Sequence, residues 1–328
     1  MQLHGVIDVK EEVLRSFIPS VLDTLLFDRS TRKNILWASD NYAELGAEYQ
    51  ADMQIHEEQI SGVYTDLIQP RVAKSISVQD ARTKASAEVF TPCWVCNEQN
   101  NLVDTQWFGR GDVFNRPDGQ TWTATEERVE FPEKASLSWK KYVDARRLEI
   151  SCGEAPYLVS RYDTVTGEFI PVYKRIGLLD RKLRVVGENT GQKDDWIFWT
   201  IRAFQSVYGY EYQGDSLLLA RENLLLTFVD YYQERFGAFP ETVLLRKIAR
   251  IISWNIWQMD GLKCVVPNSC TASVYEEITL FGNEKHEEPC PGCSKGDLLA
   301  HTGVYCRIYD WRKKKSLPFI SMVKGEKK

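Results

Sequence analysis

The spacing of hydrophobic and polar positions divides the chain into short helical and strand-like segments. VLDTLLF (21–27) has helical spacing, and residues 216–237 give the strongest helix prediction in the chain, with Gly237 as its end. Strands alternate with helices between about 140 and 262, a pattern that favours an α/β sheet. Short apolar runs predict strands at 34–38, 146–151, 183–189, 208–212, 255–260 and 306–311.

These segments suggest three regions. Residues 1–80 are mixed in period and form an N-terminal extension, while 81–262 carry the predicted sheet. Residues 263–328 form a loop-rich module with a last strand and a basic tail. Within the middle region, helical spacing over 82–105 is broken at Thr91-Pro92, and residues 108–138 predict a long loop or a small insert.

Composition limits the class of protein. The 328 residues carry a net charge of -5, with 43% hydrophobic and 27% charged residues, as in ordinary globular domains. No stretch approaches the ~18 apolar residues of a membrane span, and charges occupy the N-terminal segment where a signal peptide needs an apolar core. We therefore expect a cytoplasmic protein with no membrane role. Ten Trp residues indicate broad packed faces or an interface.

Four short segments combine residues that could hold a ligand. A carboxylate at the end of a parallel strand can accept hydrogen bonds from a ribose diol or an amine. Each segment also has a structural interpretation, as a helix cap, a tight turn or an exposed loop. The segments are Phe90-Thr91-Pro92, the turn from Glu149 through Cys152 and Gly153 to Tyr157, Glu211-Tyr212, and Asp260-Gly261.

The order of these segments resembles that of amino-group (adenine-N6) DNA methyltransferases, among them the methylation subunits of restriction–modification systems. The resemblance implies a Rossmann-like, S-adenosylmethionine-dependent methyltransferase fold and S-adenosylmethionine as cofactor. It places Phe90, Thr91 and Pro92 over the methionine part; Glu149, Cys152, Gly153 and Tyr157 in the first turn; Glu211 and Tyr212 at the ribose; and Asp260 and Gly261 at the adenine.

The sequence departs from this family in two places. Glu154 and Pro156 follow Gly153, where the family has a second glycine two residues on. The Pro-Pro-aromatic motif, which holds the target amine and stacks on a flipped base, is absent, because no two of the twelve prolines are adjacent. The sequence ends where that motif would follow, and we expect no catalytic residue in it.

Two hypotheses of function follow from this combination. The first is the S-adenosylmethionine-binding subunit of a split DNA adenine-N6 methyltransferase from a restriction–modification or phage-defence system. Its partners would be double-stranded DNA and a catalytic, target-recognition methyltransferase subunit. The second is a non-catalytic DNA-binding or assembly subunit with a degenerate methyltransferase fold, which the altered turn after Gly153 favours. A nuclease subunit ranks last, because no convincing carboxylate-x-Lys constellation is present.

A second constellation predicts a structural zinc site. Cys290, Cys293, His301 and Cys306 form the pattern C-x2-C-x7-H-x4-C in a loop-rich segment. Four such ligands suit tetrahedral Zn²⁺. Cys270 or Cys264 could replace His301 as the fourth ligand.

Other cysteines and basic residues have weaker signals. Cys93 and Cys96 form a Cys-x-x-Cys inside a predicted helix, which favours buried core cysteines over a redox centre. The tail 312–328 holds seven Lys or Arg residues and one Glu, and could contact DNA phosphates or remain solvated. A second basic group that could lie beside DNA consists of Arg71, Lys74, Arg82 and Lys84.

Overall fold

The protein is a mixed α/β structure built around a small parallel sheet. The computed structural model describes residues 7, 10–17, 20–86, 88, 91–279 and 282–323, and for residues 17, 85, 86 and 276–286 it describes the backbone alone. Within these ranges, no helix has both the length and the apolar character needed to cross a membrane.

The N-terminal part consists of helices and short 3-10 turns. The predicted strand at 34–38 forms only single bridges, Asn34 with Phe27 and Leu36 with Gln54. The predicted break at Thr91-Pro92 is confirmed, because the chain is helical on both sides of it but not through it. The helices are α1 (Glu11–Phe17), α2 (Val21–Leu26), α3 (Ile76–Ser86) and α4 (Cys93–Phe108).

The insert expected at 108–138 contains a small antiparallel hairpin, β1 (Asn115–Asp118) and β2 (Thr121–Ala124). A short helix, α5 (Trp139–Asp144), then leads into the first strand of the central sheet.

Three parallel strands form the central sheet, and pairs of helices connect them. The strands lie in the order β3-β4-β5, with Glu149 beside Gly209 and Gly209 beside Ile256. Parallel neighbours need such long crossovers, which the helical segments supply. In chain order the elements are β3 (Arg147–Glu149), α6 (Leu178–Asn189), α7 (Lys193–Phe204), β4 (Val207–Glu211), α8 (Gly214–Phe236), α9 (Thr242–Asn255) and β5 (Ile256–Gln258).

The strand predicted at 183–189 is wrong, because this segment belongs to helix α6. Leu183, Val185 and Val186 are buried together with Leu178 and Leu179, which lie one to two turns earlier. The apolar residues therefore follow a helical period over twelve residues, and a window of seven hides that period.

One continuous hydrophobic core runs through the first two predicted regions. Leu14, Ile55 and Ile68 from residues 1–80 pack in the same cluster as Leu217 and Ile252 from the region of the sheet. Helix α8 is buried along most of its length, with apolar residues on all sides. The predicted boundary at residue 80 therefore does not separate two cores.

The C-terminal part adds a second layer to the sheet. Ile308 and Leu317 pack with Tyr208 and Trp257, which lie on the face opposite Glu149 and Glu211. The predicted strand at 306–311 is confirmed as β8. The elements are the hairpin β6 (Ser273–Thr279) and β7 (Gly282–Glu288), α10 (Pro291–Lys295), the hairpin β8 (Arg307–Asp310) and β9 (Lys315–Pro318), and α11 (Ile320–Val323).

Candidate functional site

A cleft of about 800 Å³ opens at the carboxyl edge of the parallel sheet. Glu149 is the last residue of β3 and Glu211 is the last residue of β4, so both carboxylates reach this edge. Open parallel sheets bind their ligands at this edge. The residues predicted from the sequence that line the cleft are Thr91, Glu149, Cys152, Gly153, Tyr157, Glu211 and Tyr212.

The Glu211 carboxylate accepts backbone N–H groups and thereby shapes the wall of the cleft. One oxygen accepts the N–H of Gly153 at 2.8 Å, and the other accepts those of Tyr212 at 2.8 Å and Gln213 at 3.1 Å. Burial raises the pKa of Glu211 despite the opposing effect of these N–H groups. Gly153 has a φ of 51°, where glycine is favoured. Glu211 therefore ties the turn after β3 to the end of β4.

The Glu149 carboxylate holds the next part of the same turn. Its oxygens accept the backbone N–H groups of Tyr157 at 3.3 Å and Leu158 at 3.1 Å. Burial raises the pKa of Glu149 to about 8, and the charge of Glu211 adds to that rise while the two N–H groups oppose it. The charge of Glu149 therefore changes close to neutral pH.

The two bulky residues that follow Gly153 have different positions. The Glu154 side chain is buried in the interior, where it accepts hydrogen bonds from the Tyr162 hydroxyl at 2.6 Å and the Arg71 N–H at 2.7 Å. Pro156 lines the cleft. The departure from the family at Glu154 therefore adds no side chain to the cleft.

Asp260 and Gly261 do not line the cleft, contrary to the role that the resemblance implies for them. Strand β5 ends at Gln258, so the chain has already turned away at Asp260. The Asp260 carboxylate closes its own turn by accepting the backbone N–H groups of Leu262 at 3.0 Å and Lys263 at 3.1 Å.

The segment before α4 contributes one predicted residue, Thr91, to the cleft. Pro92 precedes the first residue of α4 and lies outside the lining, and Phe90 falls outside the described residues. Cys93 and Cys96 are buried, and burial raises the pKa of both thiols, as the interpretation of core cysteines requires.

Further residues, most of them polar, complete the cleft and were not predicted from the sequence. Asn41 donates its side-chain amide to the Gln213 side chain at 3.0 Å, across a separation of 172 residues. No local pattern reveals such a contact. Glu88 could have been predicted from the sequence more easily, because it lies only two residues before Phe90 of the motif segment. The lining residues outside the predicted segments are Ala38, Ser39, Asp40, Asn41, Glu88, Gln213 and Ser216.

A buried charge network supports this wall of the cleft. Arg82 contacts Glu88 Oε2 at 2.6 Å and Asp215 at 2.6 Å, and Asp215 also accepts the Tyr42 hydroxyl at 2.8 Å. Burial acts to raise the pKa of Asp215, but Lys74 and Arg82 lower it to about 2. The second oxygen of Glu88, Oε1, is buried and has no hydrogen-bond partner in the described part of the chain.

The basic groups proposed for DNA contact differ in exposure. Arg82 and Lys74 belong to the buried network, so Arg71, Lys74, Arg82 and Lys84 do not form one basic surface. In the tail, residues 312–315 are exposed, whereas Lys324, Lys327 and Lys328 lie outside the described residues.

A metal-binding cluster forms in the C-terminal part from Cys270, Cys290, Cys293 and His301, whose ligand atoms all lie within 4.8 Å of one another. His301 Nδ1 is 3.6 Å, 3.6 Å and 3.7 Å from the sulfurs of Cys270, Cys290 and Cys293. These spacings suit ligands about 2.0 to 2.3 Å from one tetrahedral ion. Gly292 permits the close approach, because a Cβ there would lie 2.5 Å from Nδ1. The cluster can bind a metal such as zinc.

Cys270 therefore stands where the sequence pattern places Cys306. The Cys306 thiol is fully buried in the apolar layer below the sheet, beside Cys264, and donates to the Gln258 carbonyl at 3.2 Å. Hydrogen bonding from Thr302 lowers the pKa of the Cys290 thiol to about 5, which favours the thiolate form that binds metals.

Comparison with known proteins gives no further assignment: no family model, no curated protein and no solved structure matches this chain.

Proposed function

We propose that the cleft binds S-adenosylmethionine and that the protein is the cofactor-binding subunit of a split DNA adenine-N6 methyltransferase. The observation that carries this proposal is the charge of the cleft. The buried carboxyl groups of Glu88, Glu149 and Glu211 line it, and its described lining contains no Lys or Arg.

An acidic cleft at the end of parallel strands favours positively charged nucleotide-like ligands over negatively charged ones. S-adenosylmethionine carries a sulfonium and an ammonium group, so carboxylates attract it, and its ribose diol can donate to a further carboxylate. A phosphorylated cofactor would meet repulsion from those of these carboxyl groups that are ionised, which Glu149 becomes only as the pH rises through its pKa of about 8. The Oε1 atom of Glu88, which has no hydrogen-bond partner among the described residues, supports an ammonium ligand, because a buried acceptor without a partner is costly.

The proposal assigns catalysis to a second protein. The target amine of adenine needs a polar acceptor and a stacking ring beside the cofactor, and the 328 residues contain no adjacent prolines for the usual motif. The partner would supply this loop and much of the contact with double-stranded DNA. In the present chain, Glu88, Glu149 and Glu211 bind and orient the cofactor.

Isothermal titration with three ligands tests the cofactor proposal. S-adenosylmethionine should bind more tightly than S-adenosylhomocysteine, which lacks the sulfonium charge, and ATP should not bind. Glu88→Gln should weaken S-adenosylmethionine binding about tenfold, or ~1.4 kcal/mol, whereas the exposed Glu98→Gln on α4 should leave it unchanged. Equal binding of ATP, or no binding of either adenosyl ligand, contradicts the proposal.

The alternative of a non-catalytic DNA-binding or assembly subunit rests on one observation. Glu149 and Glu211 already accept five backbone N–H groups between them, so the turns are ordered without a ligand. DNA binding measured by fluorescence anisotropy, together with silent titrations of both adenosyl ligands, would favour this alternative.

We also propose that the metal of the Cys3His cluster is zinc and that its role is structural. The cluster joins three separate loops through Cys270, Cys290 and His301, and its fourth ligand, Cys293, fills the tetrahedron. Metal analysis of protein purified without added zinc should find about one equivalent, and less than half an equivalent would count against the site.

A further inference from the structure

Strand β3 forms the outer edge of the sheet and pairs with β4 alone. The N–H of Arg147 donates to the Ser206 carbonyl at 2.9 Å, so the backbone of Arg147 faces β4. Alternate residues of a parallel strand hydrogen-bond to opposite sides. The N–H and carbonyl of Leu148 therefore point away from the sheet, and within the described ranges no strand pairs with that edge.

The outer edge of β5, on the opposite side of the sheet, is occupied by other parts of the chain. The Ile256 carbonyl accepts from the buried Arg221 guanidinium at 2.8 Å. The Gln258 carbonyl accepts from the Cys306 thiol at 3.2 Å. Unpaired strand edges are templates for pairing with another chain, and in the described ranges the short edge of β3 is the one that stays open.

An apolar groove of about 330 Å³ runs beside the open edge. Leu148 lines it and is 46% exposed, although its neighbour in register, Tyr208, is buried in the layer formed with the C-terminal hairpin. Two residues further along, Ile150 is 66% exposed and lines the acidic cleft instead. The edge of β3 thus connects the apolar groove to the cleft.

The rim of the groove is basic. Arg146, Arg147 and Lys313 line it together with a single acidic residue, Asp310. Asp310 is already engaged, since its carboxylate pairs with Arg146 at 3.3 Å and accepts the backbone N–H of Lys313 at 3.0 Å. The remaining positive charge is complementary to acidic side chains on an occupant.

We propose that the outer edge of β3 binds an extended segment of a second, different protein, which adds a fourth strand to the sheet. Its apolar side chains would fill the groove beside Leu148, and its acidic side chains would point to the opposite face, where Arg147 lies. An acidic residue at the end of the segment would meet Lys313 at the rim of the groove. Main-chain hydrogen bonds supply affinity in this mode, and alternate side chains supply specificity. One end of the added strand arrives at the cleft beside Ile150. The inference rests on the proposed function only for the identity of the protein that brings the strand.

A synthetic peptide that alternates valine and glutamate is the probe for this surface. A fluorescein-labelled copy should bind the full-length protein in an anisotropy titration, and a copy with lysine in place of glutamate should bind at least tenfold more weakly. A copy with N-methylated amides, which cannot donate to the edge, should not bind. Hydrogen exchange should slow at the Leu148 amide when the first peptide is bound. Absence of binding by the first peptide, or equal binding of the N-methylated copy, overturns the proposal.

Two variants and one control locate the contact. Leu148→Asp should abolish binding of the glutamate peptide, whereas Leu102→Asp, at a more exposed leucine on α4, should not change it. Lys313→Glu should shift the preference toward the lysine peptide. Circular dichroism checks that each variant folds. If Leu148→Asp does not fold, the altered peptide preference of Lys313→Glu still decides the test.

Two further measurements separate this inference from its alternatives. Sedimentation of the unliganded protein tests whether a second copy of this chain is the occupant, and a dimer that Leu148→Asp dissolves would overturn the proposal of a different protein. Peptide binding by a protein that does not bind S-adenosylmethionine would reject the proposed function and retain the docking edge. S-adenosylmethionine binding without peptide binding would reject the docking edge and retain the proposed function.

Discussion

The backbone N–H of Gly153 donates to the Glu211 carboxylate at 2.8 Å, which joins the turn after β3 to the end of β4. The bond spans 58 residues of sequence. Glu211 therefore lines one wall of the cleft and, through this bond, also fixes the position of the turn after β3, which forms the other wall.

Glu211→Gln should therefore change both the turn and ligand binding. With one amide oxygen retained toward Tyr212 and Gln213, the amide nitrogen would face the Gly153 N–H, and two donors would meet. We expect a loss of stability of about 1 to 3 kcal/mol in urea unfolding, and at least a tenfold loss of S-adenosylmethionine affinity. Glu98→Gln is the matched control, and a stability of Glu211→Gln equal to that of the control would refute the structural role.

The pKa of Glu149 predicts a pH dependence of stability. Burial raises this pKa to about 8 in the folded protein, above the usual value of 4.5. The folded protein thus retains a proton that the unfolded chain releases, so the contribution is complete below about pH 4.5 and is lost as the pH rises through about 8. Glu149→Gln should flatten the change in unfolding free energy between pH 5 and pH 9. An unchanged slope in this variant would assign the dependence to other groups.

The sequence predicts the strand ends well and the walls of the cleft less well. Glu149 and Glu211 were identified because each ends a short apolar run, and a strand end is a local feature. Asp260 was assigned by order along the chain, although β5 ends two residues earlier. Asn41 and Glu88 reach the cleft through tertiary packing, which single-sequence periodicity does not encode.

The zinc pattern illustrates the same limit. Sequence spacing groups Cys306 with Cys290 and Cys293, because these residues are near in the chain. Cys306, however, enters β8 with its thiol in the apolar layer, whereas Cys270 approaches the cluster from a loop twenty residues before Cys290. Ligand type was predictable from the sequence, but the choice between cysteines depends on which face of each loop points inward.

The network around Asp215 predicts a large loss of stability on neutralisation. Asp215 faces Arg82 and Lys74 in a buried setting, and removal of one partner leaves an uncompensated charge. Asp215→Asn should cost about 3 to 5 kcal/mol of unfolding free energy, measured by urea denaturation. Asp297→Asn, at an exposed position in the C-terminal loop, should cost far less. A loss below about 1 kcal/mol would mean that water screens the network.

Cys270 and Cys306, the two candidates for the third cysteine ligand, give a matched test of the metal cluster. Cys270→Ser should reduce the zinc content of the purified protein to below half that of the unaltered protein, because serine is a poor ligand for this ion. Cys306→Ser should retain full zinc, although burying a hydroxyl in the apolar layer should lower the melting temperature. Cys264→Ser, in the same layer, controls for that packing effect. Inductively coupled plasma mass spectrometry measures the metal, and loss of zinc in Cys306→Ser with retention in Cys270→Ser would exchange the roles of the two cysteines.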